Sequence, residues 1–134
     1  MNYLAIDTSG DNLTIIAKKG DKTEIVFEPD CGVRHSVSLM PKTEETLEKI
    51  GAKLSDFDFL ACVVGAGSFT GIRIGISTVK GLCFAANKPC LPVTSFDTIA
   101  YNRQGKVMAI IDALHGAYYV CGYENGKIVF TFTK

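Results

Sequence analysis

Neither sign of charge is in excess in this sequence: 14 lysines and arginines balance 14 aspartates and glutamates, for a formal net charge of zero over 134 residues. A chain that binds nucleic acid alone needs a basic surface to displace counterions from phosphates. None is evident, so any role with RNA has to pass through a partner, and no direct binding of RNA is expected. Long apolar runs are also missing. The N-terminus, MNYLAIDTS, has no basic segment and meets Asp7 early, while the longest apolar stretch, 72–86, is broken by Arg73 and Lys80. A signal peptide and a membrane span are therefore not expected, and the chain is expected in the cytoplasm.

Clustered metal ligands are absent as well. His35 and His115 are the only histidines and lie far apart, and the five cysteines (Cys31, Cys62, Cys83, Cys90 and Cys121) contain no Cys-x-x-Cys. Most of these cysteines sit in apolar runs, where a thiol behaves as a small hydrophobe, so they read as reduced core residues. No resident metal is expected. A His-centred triad needs a nucleophile, a base and an orienting carboxylate, and no signature of one occurs; His35 reads as the start of a helix.

What is present is an ordered alternation of strands and helices in a soluble, globular composition, 47% hydrophobic and 21% charged. Residues 3–7, 12–17 and 23–28 are short β-rich runs separated by turn chemistry, which predicts an antiparallel meander. From Ser36 the period becomes helical. Met40, Leu47, Ile50 and Leu54 share a stripe, Pro41 must start or kink the helix, and Gly51 offers its stop. The apolar run 59–64 predicts a strand buried on both faces, followed by a helix over 70–86 that ends before Lys88-Pro89. A short strand at 91–94, a short helix capped by Ser95, a buried strand at 107–111 and a hairpin of 117–123 with 127–132 complete the order. The expectation is an α/β layer fold with residues 1–104 as one lobe and 105–134 as the opening strands of a second, truncated one. Three strands without a covering helix would expose an apolar face, so they must pack on the first lobe or on another chain.

Gly65 to Ser77, GAGSFTGIRIGIS, is the most distinctive segment. Glycines before a helix can cradle a phosphate, but Gly65, Gly67 and Gly71 do not have the dinucleotide spacing and no Gly-Lys-Ser/Thr follows. The alternative is structural: Gly65 and Gly67 permit a tight turn, and Gly71 and Gly75 let another backbone approach the helix closely. Asp7 and Asp112 each end an apolar strand before a turn. A carboxylate there meets a ligand or bonds amides of its own turn, and the local bond is the favoured reading.

AIDTS at 5–9, HSVSLMP at 35–41, GAGSFTGIRIGISTVKGL at 65–82, PVTSFDTIA at 92–100 and AIIDALHGAYYV at 109–120 together resemble the TsaB (YeaZ) family, chiefly through SFTGIRIG. The resemblance implies the two-lobed actin, sugar kinase and heat-shock chaperone (ribonuclease H-like) fold. It further implies a catalytically silent partner of TsaD in installing threonylcarbamoyl on the adenosine beside the tRNA anticodon, with TsaE and a threonylcarbamoyl-AMP synthase completing the pathway, and a homodimer when alone. The His-x-x-x-His metal pair of the TsaD paralogue falls here on Ser95 and Ile99, neither of which replaces imidazole. Two departures accompany the likeness: Ala66 stands where the family usually has proline, and the family runs well beyond 134 residues.

In the family the first two helices are the usual docking surface for TsaD and for self-pairing. Here that surface is expected from Met40, Leu47 and Ile50 of the first helix and Gly71, Ile72, Gly75, Ile76, Val79, Leu82 and Cys83 of the second. On the helical wheel Ile72, Ile76, Val79 and Cys83 make one stripe, and Gly71, Gly75, Thr78 and Leu82 an adjacent arc of mostly small residues. One arc covers the sheet and the small one is left for a partner, so Gly75→Glu is expected to leave a folded chain that no longer associates; the alternative is that both arcs are buried within the chain's own fold, and the same substitution then unfolds it. Two other functions stand beside this reading. One is an ATP-dependent phosphotransferase or ATPase using Asp7, Thr8 and Ser9 as remnants of a nucleotide loop with Asp112 across the cleft; the other is a self-associating structural module. No cofactor is expected, and ATP or ADP at a partner interface is left open.

Overall fold

The computed structural model describes residues 1–133. Its first sheet begins with β1 (Tyr3–Asp7), β2 (Leu13–Lys19) and β3 (Lys22–Glu28), paired antiparallel as a meander with Ala5 opposite Ile16 and Ile16 opposite Ile25. The tight link between β2 and β3 is possible because Gly20 takes a positive φ of 59°. β4 (Phe59–Val63) and β5 (Cys90–Val93) then join parallel to β1, giving the order β3-β2-β1-β4-β5. Alternation along β1 and β2 sends Leu4, Ile6, Leu13, Ile15 and Ala17 to one face, where all are at most 2% exposed.

That face is covered by α1 (His35–Ile50) and α2 (Phe69–Ala86). α1 ends as expected at Gly51, in the left-handed conformation at φ 62°, but its buried stripe is His35, Leu39, Thr43, Thr46 and Ile50. Met40 therefore lies off the core, 41% exposed, and Leu54 belongs to a separate 3-10 turn rather than to this helix. Two threonines are tolerated inside because their hydroxyls donate to the carbonyls of Leu39 and Lys42, four residues back, at 2.7 and 2.6 Å. Pro41 sits within the helix rather than at its start. His35 opens α1, 1% exposed, with Nε2 at 2.9 Å from the Gly10 carbonyl oxygen and Nδ1 without a partner. Each fully buried Leu or Ile here contributes about 1.5–3 kcal/mol relative to exposure.

α3 (Ser95–Ala100) follows, and its N-cap is Thr94, whose hydroxyl accepts from the Asp97 amide; Ser95, the expected cap, is already helical. A second sheet is formed by β6 (Lys106–Leu114), β7 (Ala117–Glu124) and β8 (Lys127–Thr133) in the order β6-β7-β8. Asn125 and Gly126, with φ of 50° and 79°, make the two-residue turn between β7 and β8. With β4 and β5 parallel to β1 and a second meander beginning at β6, the architecture is the α/β actin-like, ribonuclease H-like fold that the family resemblance implied.

The two sheets meet across α3. Phe96 and Ala100 pack on Val107, Ala109, Cys121 and Tyr123, and the Tyr123 hydroxyl donates to Asp97 Oδ1 at 2.8 Å while Thr94 donates to Oδ2 at 2.6 Å. The Thr94 hydrogen bond, followed by that of Tyr123, holds the Asp97 carboxyl below its ordinary range, and burial together with Asp97 raises the phenol. Tyr123→Phe is expected to cost about 1 kcal/mol, read as a lower urea midpoint with unchanged slope. Because the folded carboxyl titrates below the unfolded one, its contribution is present above about pH 4 and is lost as pH falls through the folded pKa, so wild type and variant should converge in stability at acid pH.

Candidate functional site

Three loops meet at the C-terminal ends of the parallel strands β1, β4 and β5: Asp7 to Ser9, Gly65 to Ser68, and Thr94 to Ser95. Ligands of open α/β sheets usually bind at this end. Here the space is taken by the chain. The Ser68 amide donates to the Ser9 carbonyl at 2.6 Å, and the Ser95 amide donates to the Gly65 carbonyl at 2.6 Å. Ser95 Oγ donates to the Ala66 carbonyl at 2.6 Å and stands 3.4 Å from Ser9 Oγ. Thr8, 1% exposed, donates its hydroxyl to the Gly71 carbonyl at 2.6 Å.

Glycine is required on the other side of this contact. A Cβ at Gly67 would run into the Ser9 carbonyl, one at Gly71 into the Thr8 carbonyl, and one at Gly75 into the Thr8 hydroxyl. Gly67 also holds a φ of 154° and Gly65 of 121°. At the start of α2, Ser68 Oγ accepts the Gly71 amide at 3.2 Å as an N-cap. Two of the amides at this helix start are thus engaged within the chain, that of Gly71 by Ser68 Oγ and that of Ser68 by the Ser9 carbonyl.

The two strand-end aspartates take the local option. Asp7 Oδ1 accepts the Ser9 amide at 2.8 Å and Asp112 Oδ1 accepts the Leu114 amide at 2.7 Å. Asp7 stands at the rim of a hollow of about 290 Å³ on the sheet face away from the helices, lined by Ala5, Ile16, Ala61, Val63 and Val93. Of the two positions that the resemblance set against a histidine pair, Ser95 is buried in the loop junction and Ile99 is 44% exposed. Among the described residues, no group of three or more His, Cys, Asp or Glu side chains could hold a metal ion, and no helix is long and apolar enough to cross a membrane.

The expected docking surface needs correction. Gly71, Gly75, Val79 and Cys83 form the buried stripe of α2, and Ile50 is buried in α1, so these five residues are used inside the chain. Leu47, Ile72, Ile76 and Leu82 are half-buried beside them, with Leu47, Ile76 and Leu82 packed on the core. The glycine arc attributed to a partner helix is where the chain's own β1 loop approaches. What the helices do present outward is Val37 at 73% and Met40 at 41% exposure on α1, and Phe69 at 73% and Phe84 at 91% on α2, with Arg73 stacked 4.4 Å over the Phe69 ring. Ser36, Phe69, Thr70, Arg73 and Ser77 line a groove between the two helices. Phe69 and Phe84 were missed by the periodicity because they lie off the buried stripe, and that position was itself the available signal.

Comparison with known proteins follows the same lines. The family described as TsaD, tRNA N6-adenosine threonylcarbamoyltransferase, matches residues 27–130. The tRNA threonylcarbamoyladenosine biosynthesis protein TsaB of Escherichia coli is 34% identical over 132 residues, covering 95% of this chain and 57% of that protein. Its Bacillus subtilis counterpart is 32% identical over 133 residues, covering 96% and 58%. The solved structure of YeaZ from Pseudomonas aeruginosa superposes with a TM-score of 0.84 at 29% identity, covering 98% of this chain and 66% of that one. The chain therefore spans somewhat more than half the length of the curated relatives it matches.

Gly71→Ala is expected to destabilise by about 3 kcal/mol or more, since backbone rather than a flexible side chain lies in the way. Gly75→Glu should leave the chain unfolded by circular dichroism, contrary to the reading from the wheel. The thiols give an independent check of burial: Cys62 is pushed up to about 12, chiefly by burial and then by Cys90, and Cys83 is raised chiefly by burial, whereas Cys90 is exposed. Iodoacetamide at neutral pH should label Cys90 well before the other four, and all five only in denaturant.

Proposed function

The chain belongs to the TsaB (YeaZ) family of tRNA threonylcarbamoyladenosine biosynthesis proteins, and from that premise we propose that it is a non-catalytic partner of TsaD in forming threonylcarbamoyladenosine beside the tRNA anticodon. The observation that carries the reading is the closure of the loop junction at the ends of β1, β4 and β5. Ser68, Gly67 and Gly71 occupy the ground over Thr8 and Ser9 where a phosphate would lie in an enzyme of this architecture. The Asp-Thr-Ser turn is a structural joint between β1 and α2, with Thr8 committed to Gly71.

Residues 1–104 act as the folded lobe that presents the partner surface, and residues 105–134 as the opening of a second lobe. Zero net charge supports tRNA contact through TsaD rather than through this chain, with TsaE reached through TsaD. The docking surface is the outward side of α1 and α2, where Val37 and Met40 on α1 and Phe69 on α2 are exposed apolar side chains and Arg73 stacks on Phe69, residue types that anchor interfaces.

Met40→Glu and Phe69→Glu are expected to leave the circular dichroism spectrum unchanged and to reduce capture of tagged TsaD at least about tenfold, roughly the 1.4 kcal/mol of a single interface anchor. Undiminished capture by both variants would remove this groove from the interface.

A further inference from the structure

We propose that Cys90 is the peroxide-reactive thiol of a three-cysteine cluster and that its oxidation ends in a Cys83–Cys90 disulfide. Spacing in the sequence gives no thiol pair, since no Cys-x-x-Cys occurs, but the fold gathers Cys62 of β4, Cys83 of α2 and Cys90 of β5. Cys90 stands opposite Leu60 in the parallel pairing of β4 with β5, so it shares the face of Leu60 and Cys62, the face that α2 covers. From the helix side, Cys83 Sγ donates to the carbonyl oxygen of Pro89, the residue before Cys90, at 3.7 Å, and the Cys83 carbonyl accepts the Lys88 amide at 2.9 Å. The Cys90 thiol is a hydrogen-bond partner of both the Cys62 and the Cys83 thiols.

The three thiols differ in access, and that difference assigns their roles. Cys90 is exposed, whereas Cys62 and Cys83 are 3% and 8% exposed. Burial, followed by the neighbouring Cys90, holds the Cys83 thiol above its ordinary range, so it stays protonated while peroxide meets Cys90 first. A disulfide has strict geometry, so the partner must be able to turn toward the oxidised sulfur. Cys62 is held in a strand hydrogen-bonded to β1 on one side and to β5 on the other. Cys83 lies in the last turn of α2, joined to Cys90 by a short connection, and a helix end of this kind opens more readily than an inner strand. Cys31 and Cys121 are 0% exposed and lie elsewhere, in the connection before α1 and in β7 of the second sheet.

The chemistry needs hydrogen peroxide as its oxidant and nothing further. The deprotonated Cys90 sulfur attacks one peroxide oxygen, the O–O bond breaks, and the departing hydroxide takes up a proton to leave as water, giving Cys90 sulfenic acid. The Cys83 sulfur then attacks the sulfenic sulfur. The S–S bond forms, the S–O bond breaks, and the hydroxyl leaves with the Cys83 proton as a second water. The electron pair lost by the two thiols is the pair that reduces the peroxide.

The reduced chain, freed of reductant, is exposed to hydrogen peroxide at neutral pH and quenched by alkylation in urea. Its five free thiols should fall by the two that are joined, peptide mass spectrometry should find Cys83 linked to Cys90 within one chain, and dithiothreitol should restore all five. Cys31 and Cys121 should oxidise at least about tenfold more slowly. Cys83→Ser, folded by circular dichroism, should lose the link and accumulate a Cys90 sulfenic acid that dimedone traps, and Cys90→Ser should yield neither product. Survival of all five thiols in wild type, sulfenic acid on Cys62 or Cys83 rather than on Cys90, a Cys62–Cys90 link in wild type, or a disulfide between chains in place of one within the chain would each overturn the proposal.

Discussion

The close approach of α2 to the end of β1 is the contact on which the first sheet and its loops depend. A helix normally rides about 10 Å from a sheet because side chains stand between them. At Gly71 and Gly75 none intervenes, and the Thr8 carbonyl and hydroxyl lie directly against the helix. The gain is a buried hydrogen bond from Thr8 to Gly71 and a fixed position for the N-terminus of α2. Ser68 then meets Ser9, and Ser95 closes over Ala66, so three loops set one another's positions through backbone groups rather than through side-chain fit. A junction built this way leaves little room for adjustment, and it fills the end of the sheet where ligands of related architectures would sit.

Much of this was legible before the structure, and the parts that were not share a cause. Turn chemistry located the first meander and the Asn125–Gly126 hairpin because those residues accept left-handed backbone. Gly51 stopped α1 for the same reason. The Gly71–Gly75 spacing signalled that a backbone comes close, but spacing alone does not say whose backbone, and it was assigned to a partner when it belongs to β1. Likewise nothing in the sequence shows that the hydroxyls of Thr43 and Thr46 turn inward to bond their own helix. Met40 took their place in the expected stripe and proved to be outward. Thr94 and Ser95 are both capable caps, and only the backbone at 94 (φ −84°, ψ 150°) separates them.

Correcting the inward residues clarifies the outward ones. Once Gly71, Gly75, Val79, Cys83 and Ile50 are spent on the chain's own core, the large apolar side chains left exposed on α1 and α2 are Val37, Met40, Phe69 and Phe84, of which Phe69 lines the groove between the helices. The second sheet shows the opposite economy: one face rests on α3 and is tied by Tyr123 to Asp97, while Met108, Ile110, Phe130 and Phe132 stand exposed on the other.

The central claim, a silent partner rather than an enzyme, is tested most directly by nucleoside analysis of tRNA after reconstitution. TsaD, TsaE, the threonylcarbamoyl-AMP synthase, ATP, threonine, bicarbonate and unmodified tRNA are combined with and without this chain, and the chain is also assayed with TsaD omitted. The account predicts threonylcarbamoyladenosine when the chain and TsaD are both present and none from the chain without TsaD. Modified nucleoside formed in the absence of TsaD, or formation with TsaD that is indifferent to the chain, would contradict it.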